Sequence, residues 1–149
     1  MLLAQHLNYS DLKRLWCIGK FSCSAEGESV KILIIDNSVT VRKMVAHILE
    51  EAGHTTTAAE NGLEGLEYVL QENYDLIITN INMPKMDGYE FIKNLKQDPA
   101  TEKIPVIILT SETKASVREI GEKLGISDYL TKPVVAEKLL ESIQKLTIK

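Results

Sequence analysis

Cysteine, long apolar runs and an excess of basic charge are what this 149-residue chain lacks. Its two cysteines, Cys17 and Cys23, cannot build a disulfide framework, and they have neither the paired CxxC spacing nor the histidine partners of a zinc site. No apolar run approaches the roughly 18 residues that cross a bilayer, so no membrane span is expected. Seventeen Lys and Arg against 21 Asp and Glu leave a formal net charge of −4, which argues against nucleic-acid binding through a basic face. His6, His47 and His54 have no second ligand at metal spacing. What is present is ordinary globular composition, 44% hydrophobic and 26% charged. A soluble, cytoplasmic protein of one domain and a short appendage is the expectation.

Residues 1–29 read as that appendage. Leu2, Leu3, Leu7, Leu12, Leu15, Trp16 and Ile18 are scattered among Asp11, Lys13, Arg14 and Lys20. The charges interrupt the apolar stretch that a signal peptide needs, so secretion is not implied. The pattern predicts a short amphipathic helix over 11–18, then a flexible joint of small and polar residues over 22–29. A docking or dimerisation role for this extension is a further expectation.

From Val30 onward the pattern is regular. Val30-Lys31-Ile32-Leu33-Ile34-Ile35 is an apolar, β-branched run suited to a strand covered on both faces. Val41, Met44, Val45, Ile48, Leu49 and Ala52 then recur at helical spacing, with Gly53 as a stop. A second strand is expected over 55–57, and a helix on Leu63, Leu66, Tyr68, Val69 and Leu70. A third strand is expected over 75–79, and a helix on Phe91, Ile92 and Leu95 that ends at Asp98-Pro99. A fourth strand over 104–109, a helix over 113–124 stopped by Gly125, a strand over 127–130 and a last helix on Leu139, Leu140, Ile143 and Leu146 complete the pattern. Five alternating βα units imply a parallel sheet with helices on both faces. In such sheets the functional crevice lies at the carboxyl ends of the strands.

Those strand ends carry Asp36-Asn37-Ser38, Thr79-Asn80, Thr110-Ser111 and Lys132-Pro133. With Asn82-Met83-Pro84-Lys85-Met86-Asp87-Gly88 and Tyr129-Leu130-Thr131-Lys132-Pro133, they resemble the receiver domain of two-component response regulators. The resemblance covers about residues 30–148, and four motifs in the right order make it specific. It implies a flavodoxin-like (βα)5 doubly wound sheet of strand order 2-1-3-4-5, with the domain spanning 30–149. It also implies phosphoryl transfer from a partner histidine kinase to an aspartate at the end of strand three, with magnesium as the ion. By this resemblance Asn80 is the phosphoacceptor equivalent, Asp36 and Asn37 are the acidic pocket, and Thr110 and Lys132 are the phosphoryl contacts. Thr110 and Tyr129 are the switch pair, and the Lys132-Pro133 peptide is expected to be cis. Any metal would rest on Asp36 and the Asn82 backbone.

Two departures fall in the chemistry itself. Asn80 stands where the family has its nucleophilic aspartate, and Asn37 stands for one of two paired acids. A carboxamide oxygen is neutral and a poor nucleophile, whereas the chemistry needs a carboxylate. Two unit charges about 4 Å apart interact by roughly 4 kcal/mol at an effective dielectric of 20, so losing two of three anions removes several kcal/mol of attraction for a divalent cation. Magnesium gives up its water reluctantly, and no cofactor is expected. With its main anionic neighbour gone, Lys132 is expected to meet either the Asn80 side-chain oxygen or Asp36.

Three readings compete. The first is a receiver that is not phosphorylated at Asn80 and works through protein contacts, with a histidine kinase or a downstream effector as partner. No effector segment is seen after Lys149, so the face of helix four, strand five and helix five (about 112–123, 127–130 and 135–145) is expected to serve output or a homodimer. The second is a phosphorylatable receiver in which Asn80 replaces a native aspartate. The third is an α/β enzyme, but a haloacid-dehalogenase-type phosphatase needs a second acid at position 38, where Ser38 stands. A flavodoxin loop needs glycine there, and none is present. No enzymatic activity is expected.

Overall fold

The computed structural model describes residues 29–147. The helix expected over 11–18, the joint after it, Cys17 and Cys23 lie outside the described residues. The apolar runs form five strands: β1 (Lys31–Ile35), β2 (Thr55–Ala59), β3 (Leu76–Thr79), β4 (Val106–Thr110) and β5 (Asp128–Thr131). All pair in parallel, in the order β2-β1-β3-β4-β5, which is the flavodoxin-like arrangement expected. The helices are α1 (Val39–Glu51), α2 (Gly62–Gln71), α3 (Gly88–Gln97), α4 (Ala115–Leu124) and α5 (Ala136–Thr147).

β3 and β4 are buried at every position, which is why they read as unbroken apolar runs and not as alternating ones. Successive side chains point to opposite faces. Leu33, Ile35, Ile77 and Ile108 therefore pack with Phe91, Ile92 and Leu95 of α3. Ile32, Ile34, Ile78 and Ile107 pack with Val45 and Leu49 of α1 and with Leu139 and Ile143 of α5. Each such side chain contributes about 1.5–3 kcal/mol relative to exposure, so the central strands are held firmly from both sides.

Helix ends follow from local chemistry. Ser38, Asn61 and Asp87 precede α1, α2 and α3, and each accepts a hydrogen bond from the backbone N–H three residues on. Gly125 closes α4 in the left-handed region at φ 82°. α4 starts at Ala115, later than position 113, with no side-chain cap at Lys114. β2 runs on to Ala59 because its pairing with β1 continues to Ile35. Met44 and Leu70, read above as members of apolar stripes, are 44% and 77% exposed. The 3.6-residue period carries them off the faces that Val45 with Leu49, and Leu66 with Val69, define.

The register then assembles the site. Ile35 lies opposite Thr79, and Thr110 opposite Thr131. Asp36, Asn80 and Lys132, each one residue past its strand, emerge along the same edge.

Candidate functional site

The structure brings Asp36, Asn37, Asn80 and Lys132 into one crevice, with Thr110 and Tyr129 in a second cluster beside it. Asp36 is 2% exposed. Its Oδ2 accepts a hydrogen bond from Lys132 Nζ at 2.8 Å, and its Oδ1 accepts the Ser38 backbone N–H at 2.8 Å. A buried carboxylate is costly unless it is paired and hydrogen-bonded, and Asp36 has a cation on one oxygen and a backbone donor on the other. Of the two partners expected for Lys132, the structure selects Asp36. The Arg42 guanidinium donates to the Asp36 carbonyl and lies 3.7 Å from the Glu60 carboxylate.

Asn80 is also buried. Its Oδ1 accepts the Ile81 backbone N–H at 2.8 Å. Its Nδ2 donates to Asn37 Oδ1 and to the Asn82 carbonyl, each at 3.2 Å. The orientation of this amide is fixed from both sides: the Ile81 N–H can only donate and the Asn82 carbonyl can only accept. The Asn80 backbone carbonyl accepts from Thr79 Oγ1 at 2.9 Å. Gly88 closes over that carbonyl so tightly that a Cβ there would lie 2.3 Å from the oxygen. Between them the turn passes through Lys85 at φ 69°, and the Gly62 N–H donates to the Met86 carbonyl. Met83 and Met86 pack against the core beneath.

In the second cluster Thr110 is fully buried, and its Oγ1 accepts the Glu112 N–H at 3.2 Å. The Tyr129 hydroxyl donates to the Glu112 carbonyl at 2.5 Å, so the backbone at Glu112 is held from two sides. Burial, and then the negative charge of Glu112, push the Tyr129 phenol above its ordinary pKa, against the opposing Arg118. The Arg118 guanidinium sits 5.7 Å from the Tyr129 ring centre. The Lys132 N–H donates to the Thr110 carbonyl at 2.8 Å, which ties this cluster to the crevice. The Lys132-Pro133 peptide is cis. Sequence reasoning missed Arg42 and Glu112, and it quoted Gly88 within a motif without its tight approach to the Asn80 carbonyl. Arg42 was within reach, because it lies one turn past the cap of α1. Glu112 acts through its backbone alone and leaves no signal in the sequence.

Magnesium takes oxygen ligands in near-octahedral geometry. Here both oxygens of Asp36 are engaged, and an amide nitrogen points at Asn37 Oδ1 and the Asn82 carbonyl. The donor set does not fit a divalent cation. Among the described residues, no three His, Cys, Asp or Glu side chains group at metal-binding distance.

A five-stranded 2-1-3-4-5 sheet with a polar crevice at its carboxyl edge defines the class, and comparison with known proteins gives the family. The response regulator receiver domain family matches residues 32–144, and the chain belongs to it. It is 39% identical over 113 residues to protein PilH of Pseudomonas aeruginosa, covering 76% of this chain and 93% of PilH. It is 38% identical over 118 residues to the probable transcriptional regulator ycf29 of Pyropia yezoensis, covering 79% of this chain. The chain spans about half, 53%, of that relative's length. The solved chemotaxis protein CheY4 of Vibrio cholerae superposes with a TM-score of 0.76 at 34% identity, covering 79% of this chain and 98% of that one. The chain is thus a receiver domain of the response-regulator family. Among the described residues no helix is long and apolar enough to cross a membrane.

Proposed function

We propose that this receiver relays signals in the cytoplasm through protein contacts, without phosphorylation at position 80 and without catalysis of its own. The observation that carries the reading is the Asn80 carboxamide, whose oxygen and nitrogen are both committed to hydrogen bonds inside the crevice. A neutral amide oxygen that already accepts from Ile81 is a poor nucleophile, while aspartyl phosphate forms from a carboxylate. The pairing of Asp36 with Lys132 supports a crevice that recruits no magnesium. The Thr110–Glu112–Tyr129 contacts support a shape that is set without a covalent anion.

Output then falls to the surface of α4, β5 and α5, where a histidine kinase, a downstream effector or a second copy would dock. A cavity of about 570 Å³ opens there, lined in part by Lys114, Arg118, Tyr129, Lys132, Val135 and Lys138. A second amide, Asn37, stands where the family resemblance has an acid and accepts from Asn80 Nδ2. This supports the reading over one in which Asn80 alone replaces a native aspartate, because a single replacement leaves Asn37 unaccounted for. Incubation with acetyl phosphate and magnesium, followed by intact-mass measurement, tests it. The mass is expected to stay unchanged; addition of one phosphoryl group that maps to this crevice overturns the reading.

A further inference from the structure

We propose that the Asn80 side-chain nitrogen is a built-in substitute for a divalent cation, fixing the β3–α3 loop with no ion bound. The proposal rests on the reading of Asn80 given above and extends it from what the residue cannot do to what it does. Two oxygens of different origin converge on this nitrogen: the Asn37 side-chain oxygen from the β1 end and the Asn82 carbonyl from the start of the loop. Converging oxygens repel unless something positive lies between them. A cation is one solution, and an N–H donor is another. The same amide uses its oxygen to accept the Ile81 N–H, so a single neutral group satisfies three neighbours. None of the buried side-chain polar atoms among the described residues is left without a partner, those of Asn80 included.

The tie reaches beyond the crevice. Asn82 opens the segment that passes Lys85 in the left-handed region and returns at Gly88, whose N–H donates to the Ile81 carbonyl at 2.8 Å. Holding the Asn82 carbonyl thus holds the start of α3. With aspartate at 80, one oxygen would still accept from Ile81. The other would face the Asn82 carbonyl as a second acceptor, and a negative charge would join Asp36 in the crevice. Asn37 can rotate its amide to donate, but the Asn82 carbonyl has no such freedom. Lys132, paired with Asp36, would have to be shared between two carboxylates, so that variant gains from an added cation and the native chain does not. Asn80 is in this sense a positioning residue.

Thermal unfolding of the full chain and of Asn80→Asp, each in EDTA and in about 10 mM magnesium, tests this through ligand linkage. The native midpoint is expected not to move between the buffers. The Asn80→Asp midpoint should lie about 5 °C lower in EDTA and regain at least half of that loss in magnesium. A native midpoint that climbs by several degrees in magnesium overturns the proposal. So does an Asn80→Asp chain as stable as the native one in EDTA, or one that magnesium does not rescue. If Asn80→Asp fails to fold, the amide resonances of residues 81–88 in the native chain decide instead: resonances that stay in place on adding magnesium support the substitute, and resonances that shift refute it. The two readings fail separately. Magnesium binding without phosphorylation breaks the substitute alone, and a phosphoryl adduct breaks the signalling reading.

Discussion

The two flanks of the crevice differ in kind. On the β1–β3 flank, Asn37 and Asn80 are amides hydrogen-bonded to each other, and Asp36 is the remaining acid. On the β4–β5 flank, Thr110, Tyr129 and Lys132 have the residue types that the family resemblance expects, and they are engaged with Glu112 and Asp36. Chemistry and shape are thereby separable. Reactive charge depends on a few carboxylates, and positions 37 and 80 carry amides. Shape depends on strand register, tight backbone approach and hydrogen bonds, and it persists because neutral donors and acceptors serve as well.

The sharpest way to break the β1–β3 flank is Gly88→Ala. The new methyl would meet the Asn80 carbonyl oxygen at 2.3 Å and Ile81 Cα at 2.9 Å, both backbone atoms that cannot step aside. A loss of about 3 kcal/mol is expected in urea denaturation. Lys132→Met should rank next. Breaking a fully buried pair costs about 3–5 kcal/mol, and partial exposure of the lysine brings the expected loss to about 2 kcal/mol. Adding Asp36→Asn should recover most of it, because the stranded charge is then gone; a purely additive pair would show that the two flanks are not coupled.

Tyr129→Phe probes the β4–β5 flank alone and should cost about 1 kcal/mol, the net worth of one hydrogen bond. Its pH dependence has a defined sign. The phenol's folded-state pKa is raised, so the stability it contributes is fully present below its unfolded value of about 10 and is lost as pH rises through the folded value. The gap between native and Tyr129→Phe should be flat from about pH 6 to 9 and close at higher pH. A gap that changes between about pH 6 and 8 would assign it to another group. Smallest of all, Arg118→Gln should cost less than about 0.5 kcal/mol, since its pair with Glu122 is exposed.

Much of this was legible in the sequence, for physical reasons. Buried parallel strands must be continuously apolar, so β1, β3 and β4 announced themselves, and their ends located Asp36, Asn80 and Thr110 to within a residue. Edge strands are less buried and signal weakly, which is why β2 was read two residues short and β5 one residue early. Met44 and Leu70 show the limit of counting apolar residues, because helical phase and not residue type decided their exposure. The site was legible where side chains carry the chemistry and silent where backbone does. No pattern announced that the Glu112 carbonyl would hold Tyr129, or that the Asn82 carbonyl would meet Asn80.

One measurement bears most directly on the separation of charge from shape: the amide spectrum of the native chain, recorded before and after addition of acetyl phosphate with magnesium. If the β4–β5 flank is set without a covalent anion, the resonances of Thr110, Glu112, Tyr129 and Lys132 stay where they are. A concerted shift of those four, reversing as the donor is consumed, would contradict it.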